Sequence, residues 1–343
     1  MKPTIKEVAA EAGVSIATVS RVLNGKDRVK ESTKAKIEEA IRKLNFQPDQ
    51  TARSMIKKET KTIGMIVPEL SNEFWAQLFD VLQHLFWERG YTIFIGTTER
   101  SLEKEAVFVK AFIERRVDGI IFGSSLTRPN PDRTLELLER YAIPTVSLDP
   151  KMKGLHCVVG DHLQGAGDVA QHLIRLGHRE IAFVGGPVVP DHRELGLRNA
   201  CLLNGVPVNE TLIRRTDDAP SFQSGYKLMK RLLEETDVFT AVFGYNDAVA
   251  FGCIRALEEA GKRIPQDVAI VGYDDIQMAT VFKPRLTTVR QPVREIGEAL
   301  AALLFESLAR EPGAERTAAR KHIAFKTELI VRDSCGGASL AAR

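Results

Sequence analysis

Residues 1–25, MKPTIKEVAAEAGVSIATVSRVLNG, read as two short helices joined by a tight turn. Thr4 followed three positions later by Glu7 is a capping-box pattern, and Ile5, Val8 and Ala9 then recur at helical spacing. Gly13 ends that helix. Ser15 caps a second one, in which Val19, Val22 and Leu23 form the buried stripe and leave Ile16, Ala17, Ser20 and Arg21 facing outward. Asn24 and Gly25 close it with residues that tolerate left-handed backbone. The stretch 32–44 adds Ala35, Ile37, Ala40, Ile41 and Leu44 at helical spacing and completes a small three-helix core. The pattern is that of an all-α helix-turn-helix head.

Helical spacing fits an ordinary bundle equally well, and charge separates the two. Residues 1–58 hold 13 Lys and Arg against 7 Asp and Glu, whereas the rest of the chain holds 35 against 38. The positive excess therefore sits on the head. Release of counterions from a phosphate backbone requires that asymmetry, so the expected partner is double-stranded DNA.

Beyond residue 60 the chain alternates apolar strand, loop and amphipathic helix. Segments 63–67, 91–95, 119–122 and 145–148 read as buried parallel strands, and 181–184, 240–243 and 268–271 repeat the design. Two doubly wound α/β subdomains follow from that repetition. TTVRQP at 287–292 and the strand-like HIAFKTELIV at 322–331 are expected to carry the chain back across both halves.

Eight stretches stand in one order: IKEVAAEAGVSIATVSRVLNG, QPDQTARSM, KTIGMIVPEL, RRVDGIIFG, LGHREIAFVGG, FTAVFGYNDAVAFG, IPQDVAIVGYDD and LTTVRQP. Together they resemble the lactose-repressor (LacI/GalR) family of bacterial transcription regulators. The resemblance implies a helix-turn-helix head at 1–48, a hinge helix and linker at 49–60, and a periplasmic-binding-protein-like core at 61–334. Within the core, the first subdomain is expected at about 61–161 plus 291–321 and the second at 162–290 plus 322–334, with 335–343 as a tail. It also implies that the hinge helix orders when two subunits pair in the minor groove and wedge an apolar side chain between base pairs. Met55 stands where the family has leucine, and methionine is among the side chains that can unstack a base step. Asp49 can cap that helix, although so short a helix is marginal in water unless something packs on it.

Family logic assigns base reading to Ile16, Ala17 and Arg21. Arginine can bond guanine bidentately, whereas Ile16 and Ala17 offer apolar contact, for example to a thymine methyl. Thr4, Ser15, Thr18 and Asn24 complete the DNA-binding set, the last three suiting phosphates. Phe46 replaces a family tyrosine before the hinge and removes one hydroxyl contact to phosphate.

Ligands of open α/β sheets sit beyond the carboxyl ends of the strands, here in the cleft between halves. Phe74 and Trp75 follow the first strand, Asn246 follows FTAVFGY, and Asp274 and Asp275 follow VAIVGY. Asp149 and Asp161 are expected to close the first-subdomain side, and Arg193, in HRELG, matches the family's effector-contacting arginine. Arginine, amide and carboxylate beside an aromatic face suit vicinal hydroxyls. Four of them have a plainer alternative: Trp75 as core packing with Leu78 and Leu82, and Asn246, Asp274 or Asp275 as helix caps.

Other chemistries fail on inspection. GAGDVA at 165–170 has the letters of a dinucleotide fingerprint, but its glycines lie well after the preceding strand. The four cysteines lack CxxC spacing, the seven histidines lack metal-ligand spacing, and no G-x-S-x-G elbow occurs. No catalytic residues, metal or cofactor are therefore expected. With no signal segment and no run of about 18 apolar residues, a cytoplasmic location is expected. The expected function is a regulator, in repressor mode, that acts as a homodimer or tetramer under control of a sugar or sugar derivative. A purine or nucleoside effector, control by a protein partner, and a solute-binding protein without a DNA role remain alternatives.

Overall fold

The computed structural model describes residues 3–23, 29–46, 59–123, 132–309 and 320–337. The expectations for Asn24, Met55 and the hinge segment 49–58 fall outside the described residues. The chain forms two units, Met1–Thr60 and Lys61–Arg343.

In the first unit, α1 (Ile5–Ala12), α2 (Ile16–Leu23) and α3 (Glu31–Lys43) enclose Val8, Ala9, Val19, Ile37, Ala40 and Phe46. The capping box is present in an asymmetric form: the Glu7 carboxylate accepts the Thr4 N–H at 2.6 Å and its hydroxyl at 3.0 Å. Gly13 takes φ of 65° at the end of α1, a left-handed conformation that most side chains resist. At the start of α2 the Ser15 hydroxyl accepts the Thr18 N–H at 3.2 Å. The tight turn thus has a residue-level cause at each end.

The second unit opens with β1 (Thr62–Val67), α4 (Glu73–Trp87), β2 (Thr92–Thr97), α5 (Leu102–Glu114), β3 (Gly119–Phe122), α6 (Asp132–Arg140), β4 (Thr145–Ser147) and β5 (His156–Gly160). It continues with α7 (His162–Arg175), β6 (Ile181–Pro187), α8 (His192–Leu203), β7 (Ile213–Thr216), α9 (Phe222–Glu235), β8 (Ala241–Gly244), α10 (Asp247–Glu259), β9 (Ala269–Val271) and α11 (Met278–Val281). The last elements are β10 (Thr288–Arg290), α12 (Val293–Leu308), β11 (His322–Phe325) and β12 (Glu328–Ile330).

Two parallel sheets result, a six-stranded one ordered β11-β5-β4-β3-β1-β2 and a four-stranded one ordered β7-β6-β8-β9. Near-continuous apolar strands such as TIGMIV and IAFVGGP are buried on both faces, as parallel sheets covered by helices require. Helix α12 returns to the first half, where Ile296, Leu300 and Leu304 join Ile63, Leu78 and Val146 in one core.

One expected boundary needs correction. His322–Phe325 pairs with β5 in the first sheet, and only Glu328–Ile330 pairs with β10 beside the second half. The alternation of HIAFKTELIV hides a break at Lys326–Thr327. Gln164 on α7 fixes that break, its side-chain carbonyl accepting the Thr327 N–H at 3.1 Å. The chain therefore crosses at 326–327 and not at 321–322.

The glycines of GAGDVA lie inside α7, away from any strand-to-helix turn. A Cβ at Gly165 would overlap the Thr327 hydroxyl, and one at Gly196 on α8 would overlap the Leu163 carbonyl. They serve close packing of α7, α8 and the crossing segment.

Candidate functional site

On the head, α2 buries Val19 and exposes Ile16, Ala17 and Arg21, with Ile16 at 44% of its full exposure. Among the described residues no carboxylate pairs with Arg21. The hydroxyls of Ser15 and Thr18 lie 2.9 Å apart at the N-terminus of α2.

In the second unit a cleft of about 420 Å³ opens at the carboxyl ends of the strands. On its first-half wall, Asn72 caps α4 by accepting the Phe74 N–H at 3.0 Å. That cap sets Phe74 and Trp75 in the first turn, edge to face with ring centroids 5.0 Å apart. Both rings line the cleft and also enter the core, so wall and core packing are one role for Trp75. Beyond β4, the Ser147 hydroxyl accepts the Asp149 N–H at 2.8 Å, and Asp149 Oδ1 accepts the Lys151 N–H at 2.9 Å.

On the second-half wall, Asp191 caps α8 through the Arg193 N–H at 3.0 Å and accepts the Tyr245 hydroxyl at 2.7 Å. Arg193 reaches from the first turn of α8 to the Tyr245 carbonyl at 2.6 Å and to Asp274 Oδ1 at 3.2 Å. Its guanidinium also lies over the Tyr273 ring at 3.9 Å and the Tyr245 ring at 4.6 Å. Asp274 gathers two further donors, Gln291 Nε2 at 2.7 Å and Asn72 Nδ2 at 3.3 Å. The Asn72 bond crosses the cleft, and the bond from the Gln277 N–H to Glu73 joins the two halves outside the cleft lining.

Burial pushes the Asp274 carboxyl above its ordinary value, while Arg193, Gln291 and Asn72 pull it back. Burial and the nearby charges of Arg193 and His192 drive the His162 imidazole well below its ordinary value. It is therefore neutral at pH 7, with Nδ1 3.1 Å from the Tyr273 hydroxyl. Asp247, capped into the adjoining wall by the Thr288 hydroxyl at 2.5 Å and the Ile276 N–H at 2.9 Å, is pushed well up by burial.

Of the residues expected in the cleft, Phe74, Trp75, Asp149, Arg193, Asn246 and Asp274 line it. Asn246, however, has its amide occupied as a cap, accepting the Val249 N–H at 2.9 Å and donating to the Pro220 carbonyl at 3.2 Å. Asp161 does not line the cleft; it caps α7 through the Gln164 N–H at 3.0 Å. Asp275 turns away to Arg290 at 2.7 Å and Arg332 at 2.6 Å. Glu69, Asn72, Arg100, His162, Asp191, Tyr245 and Gln291 join the wall without having been singled out. A signal existed for Asn72 and Asp191, each an N-cap type directly before a helix, but nothing local marks Gln291. Among the described residues no cluster of His, Cys, Asp and Glu suits a metal, and no helix is long and apolar enough to cross a membrane.

Comparison with known proteins agrees with both parts. Residues 4–49 match the bacterial regulatory proteins of the lacI family, and residues 170–335 match a periplasmic binding protein-like domain. Catabolite control protein A of Priestia megaterium is 34% identical over 318 residues, covering 91% of this chain and 94% of its own. Among solved structures, the Lac repressor dimer bound to operator and the anti-inducer ONPF is similar at a TM-score of 0.84 and 27% identity, over 98% of this chain and 99% of that one. The complex of the transcriptional regulator CelR with cellobiose is similar at a TM-score of 0.70 and 30% identity, over 97% and 99%.

Proposed function

The chain belongs to the lacI family of bacterial regulatory proteins, a DNA-binding transcription regulator with an effector-binding core, and from that premise we propose that its effector is a carbohydrate. The observation that carries this reading is the meeting of Arg193, Asp274 and Gln291 opposite the Phe74–Trp75 wall. Donors and acceptors fixed by one another, beside an aromatic surface, suit the hydroxyls and the apolar face of a sugar ring. The similar CelR was solved with cellobiose.

In this proposal the protein is a cytoplasmic repressor that acts as a homodimer, with Ile16, Ala17 and Arg21 reading each half of a near-palindromic operator. Two-fold protein symmetry is mirrored in such a site. The effector acts by preferring one arrangement of the two core halves over another, and only that difference in affinity can move the DNA equilibrium.

Isothermal titration of the full chain with cellobiose, ribose, glucose, hypoxanthine and adenosine tests the effector class. Binding of a sugar with a matching change in operator affinity supports the reading. Binding of the purines alone replaces it with a purine-responsive regulator.

A further inference from the structure

Three segments carry the chain between the halves of the second unit: 160–162 from β5 into α7, 290–292 from β10 into α12, and 325–328 from β11 into β12. They meet at one point. A Cβ added to Gly160 would lie 3.1 Å from the Gln291 side-chain oxygen, 3.3 Å from Thr327 and 3.7 Å from the His162 ring, so a residue of each segment sits against the same glycine. The Asp161 N–H donates to the Phe325 carbonyl at 2.7 Å and ties the first crossing to the third. Any rotation of one half against the other is absorbed in these few residues, because the packed sheets and helices on either side do not deform continuously.

One side chain of the second half reaches from the cleft wall into this junction. Tyr273 follows β9 and is fully buried. The Arg193 guanidinium lies 3.9 Å over its ring. Its hydroxyl is 3.1 Å from His162 Nδ1 on the first crossing and is hydrogen-bonded to the Thr327 side chain on the third. Space for the Tyr273 and Thr327 hydroxyls comes from Gly165 on α7, where a Cβ would overlap both. Gln164 holds Thr327 from the other side, its side-chain carbonyl accepting the Thr327 N–H at 3.1 Å. Tyr273 is thus gripped on its face by the Arg193 wall and at its tip by two of the three crossings, while His162 itself lines the cleft.

We propose that the bond between the Tyr273 hydroxyl and the His162 imidazole is the contact through which the Arg193 wall sets the angle between the halves, which makes both residues positioning residues of the regulatory switch. The inference rests on control of operator binding by the core and not on the class of effector that the cleft takes. A fully buried ring packed on all sides moves as one body, so a displaced guanidinium on its face is felt at its hydroxyl. The partners of that hydroxyl sit on the backbone that must turn when the halves rotate. Both groups of the bond are uncharged, so deleting it changes the resting angle without stranding a buried charge. Face and tip are also separable, because phenylalanine keeps the ring under Arg193 and loses only the hydroxyl.

The test measures the separation of the halves in the full chain with spin labels at Glu103→Cys on α5 and Glu234→Cys on α9, both exposed positions, while the four native cysteines are buried. Labelled chain is diluted into excess unlabelled chain so that distances within one chain dominate. The variants are Tyr273→Phe, His162→Leu, their double, and His162→Asn, whose amide stands close to the place of Nδ1; thermal midpoints verify that each is folded. Tyr273→Phe and His162→Leu are expected to shift or broaden the distance distribution alike, the double no further than either single, and His162→Asn to restore it. Affinity for an operator selected from a random DNA pool changes in the same variants by about two- to tenfold, the worth of one neutral hydrogen bond. Tyr226→Phe, which deletes a hydroxyl bonded to Glu259 within the second half, leaves both readouts unchanged. A wild-type distance distribution in folded Tyr273→Phe overturns the inference, as do single-variant shifts that add in the double. His162→Asn as disturbed as His162→Leu also overturns it, since packing of the ring then accounts for His162. Tyr273→Phe tests the contact by itself if His162→Leu does not fold.

Discussion

Replacing Arg193 by alanine tests what holds the second wall of the cleft. The guanidinium and the Asp274 carboxylate retain 9% and 2% of their side-chain exposure at 3.2 Å, so solvent screens little of their interaction. Truncation leaves Asp274 with the two amide donors of Gln291 and Asn72. Removing one partner of a buried pair costs about 3–5 kcal/mol, because the other charge stays buried and uncompensated. Stacking over Tyr273 and Tyr245 contributes up to about 2 kcal/mol when desolvated, and it overlaps with the first figure because one group makes both contacts. An expected loss of about 4–5 kcal/mol is a large share of the roughly 5–15 kcal/mol that keeps a domain folded. Asp274→Ala strands Arg193 in the same way, so the double variant is expected to be less destabilised than the sum of the singles by about 2–3 kcal/mol. Urea unfolding followed by tryptophan fluorescence measures all four proteins. Trp75 lies in the cleft wall, whereas Trp87 is 68% exposed and reports little on folding. Single losses that add to the double within about 0.5 kcal/mol would refute the coupling and with it the account of this wall.

Arg21→Ala is expected to lower operator preference over random DNA by about 10- to 100-fold, the roughly 1–3 kcal/mol of one bidentate base contact, while salt-sensitive weak binding persists; selection from a random DNA pool measures this, and intact preference refutes the assignment. Asp247→Asn concerns pH. Burial raises the folded Asp247 carboxyl well above 3.8, with Thr288 opposing and Asp274 adding to the rise. Its favourable contribution is therefore complete below 3.8 and is lost as pH climbs toward the folded value, at about 1.4 kcal/mol per pH unit. The asparagine variant should gain on the wild type between about pH 5 and about pH 8 in parallel urea titrations; equal slopes would count against a raised Asp247 carboxyl. Gly196→Ala forces a Cβ onto the Leu163 carbonyl and should cost about 1–3 kcal/mol by thermal unfolding; an unchanged midpoint would mean that α7 and α8 separate freely.

The sequence disclosed what short-range chemistry controls. Thr4, Glu7, Gly13 and Ser15 mark their helix ends because each bond they make lies within a few residues. The central strands are legible because burial on both faces leaves nothing but apolar residues in them. Strand β7, IRRT, escaped notice because it is a polar edge strand with three half-buried residues. Strand β5, HCVVG, begins with a buried histidine whose Nδ1 accepts the Lys321 N–H at 3.1 Å, a partner 165 residues away. The break in HIAFKTELIV is invisible to periodicity because it is set by Gln164, far upstream.

The cleft divides along the same line. Asp161 and Asn246 stand at strand ends and look like ligand groups, yet local capping claims both, since an N-terminal N–H is always within reach of such a side chain. Asp274 escapes that fate: on a residue with φ of 107°, its carboxylate is bonded by Arg193 and not by a helix N-terminus. Its three donors come from residues 72, 193 and 291, each on a different segment. The Asn72 bond is the longest of the three and comes from the opposite wall of the cleft. On the proposed carbohydrate reading, an effector hydroxyl that reached Asp274 would compete first with Asn72, the longest of its bonds, while Arg193 and Gln291 stay in place. Exchanging that cross-cleft bond for contacts through the ligand changes what joins the halves without dismantling either wall, and the energy available to the switch is the difference between those two sets of contacts.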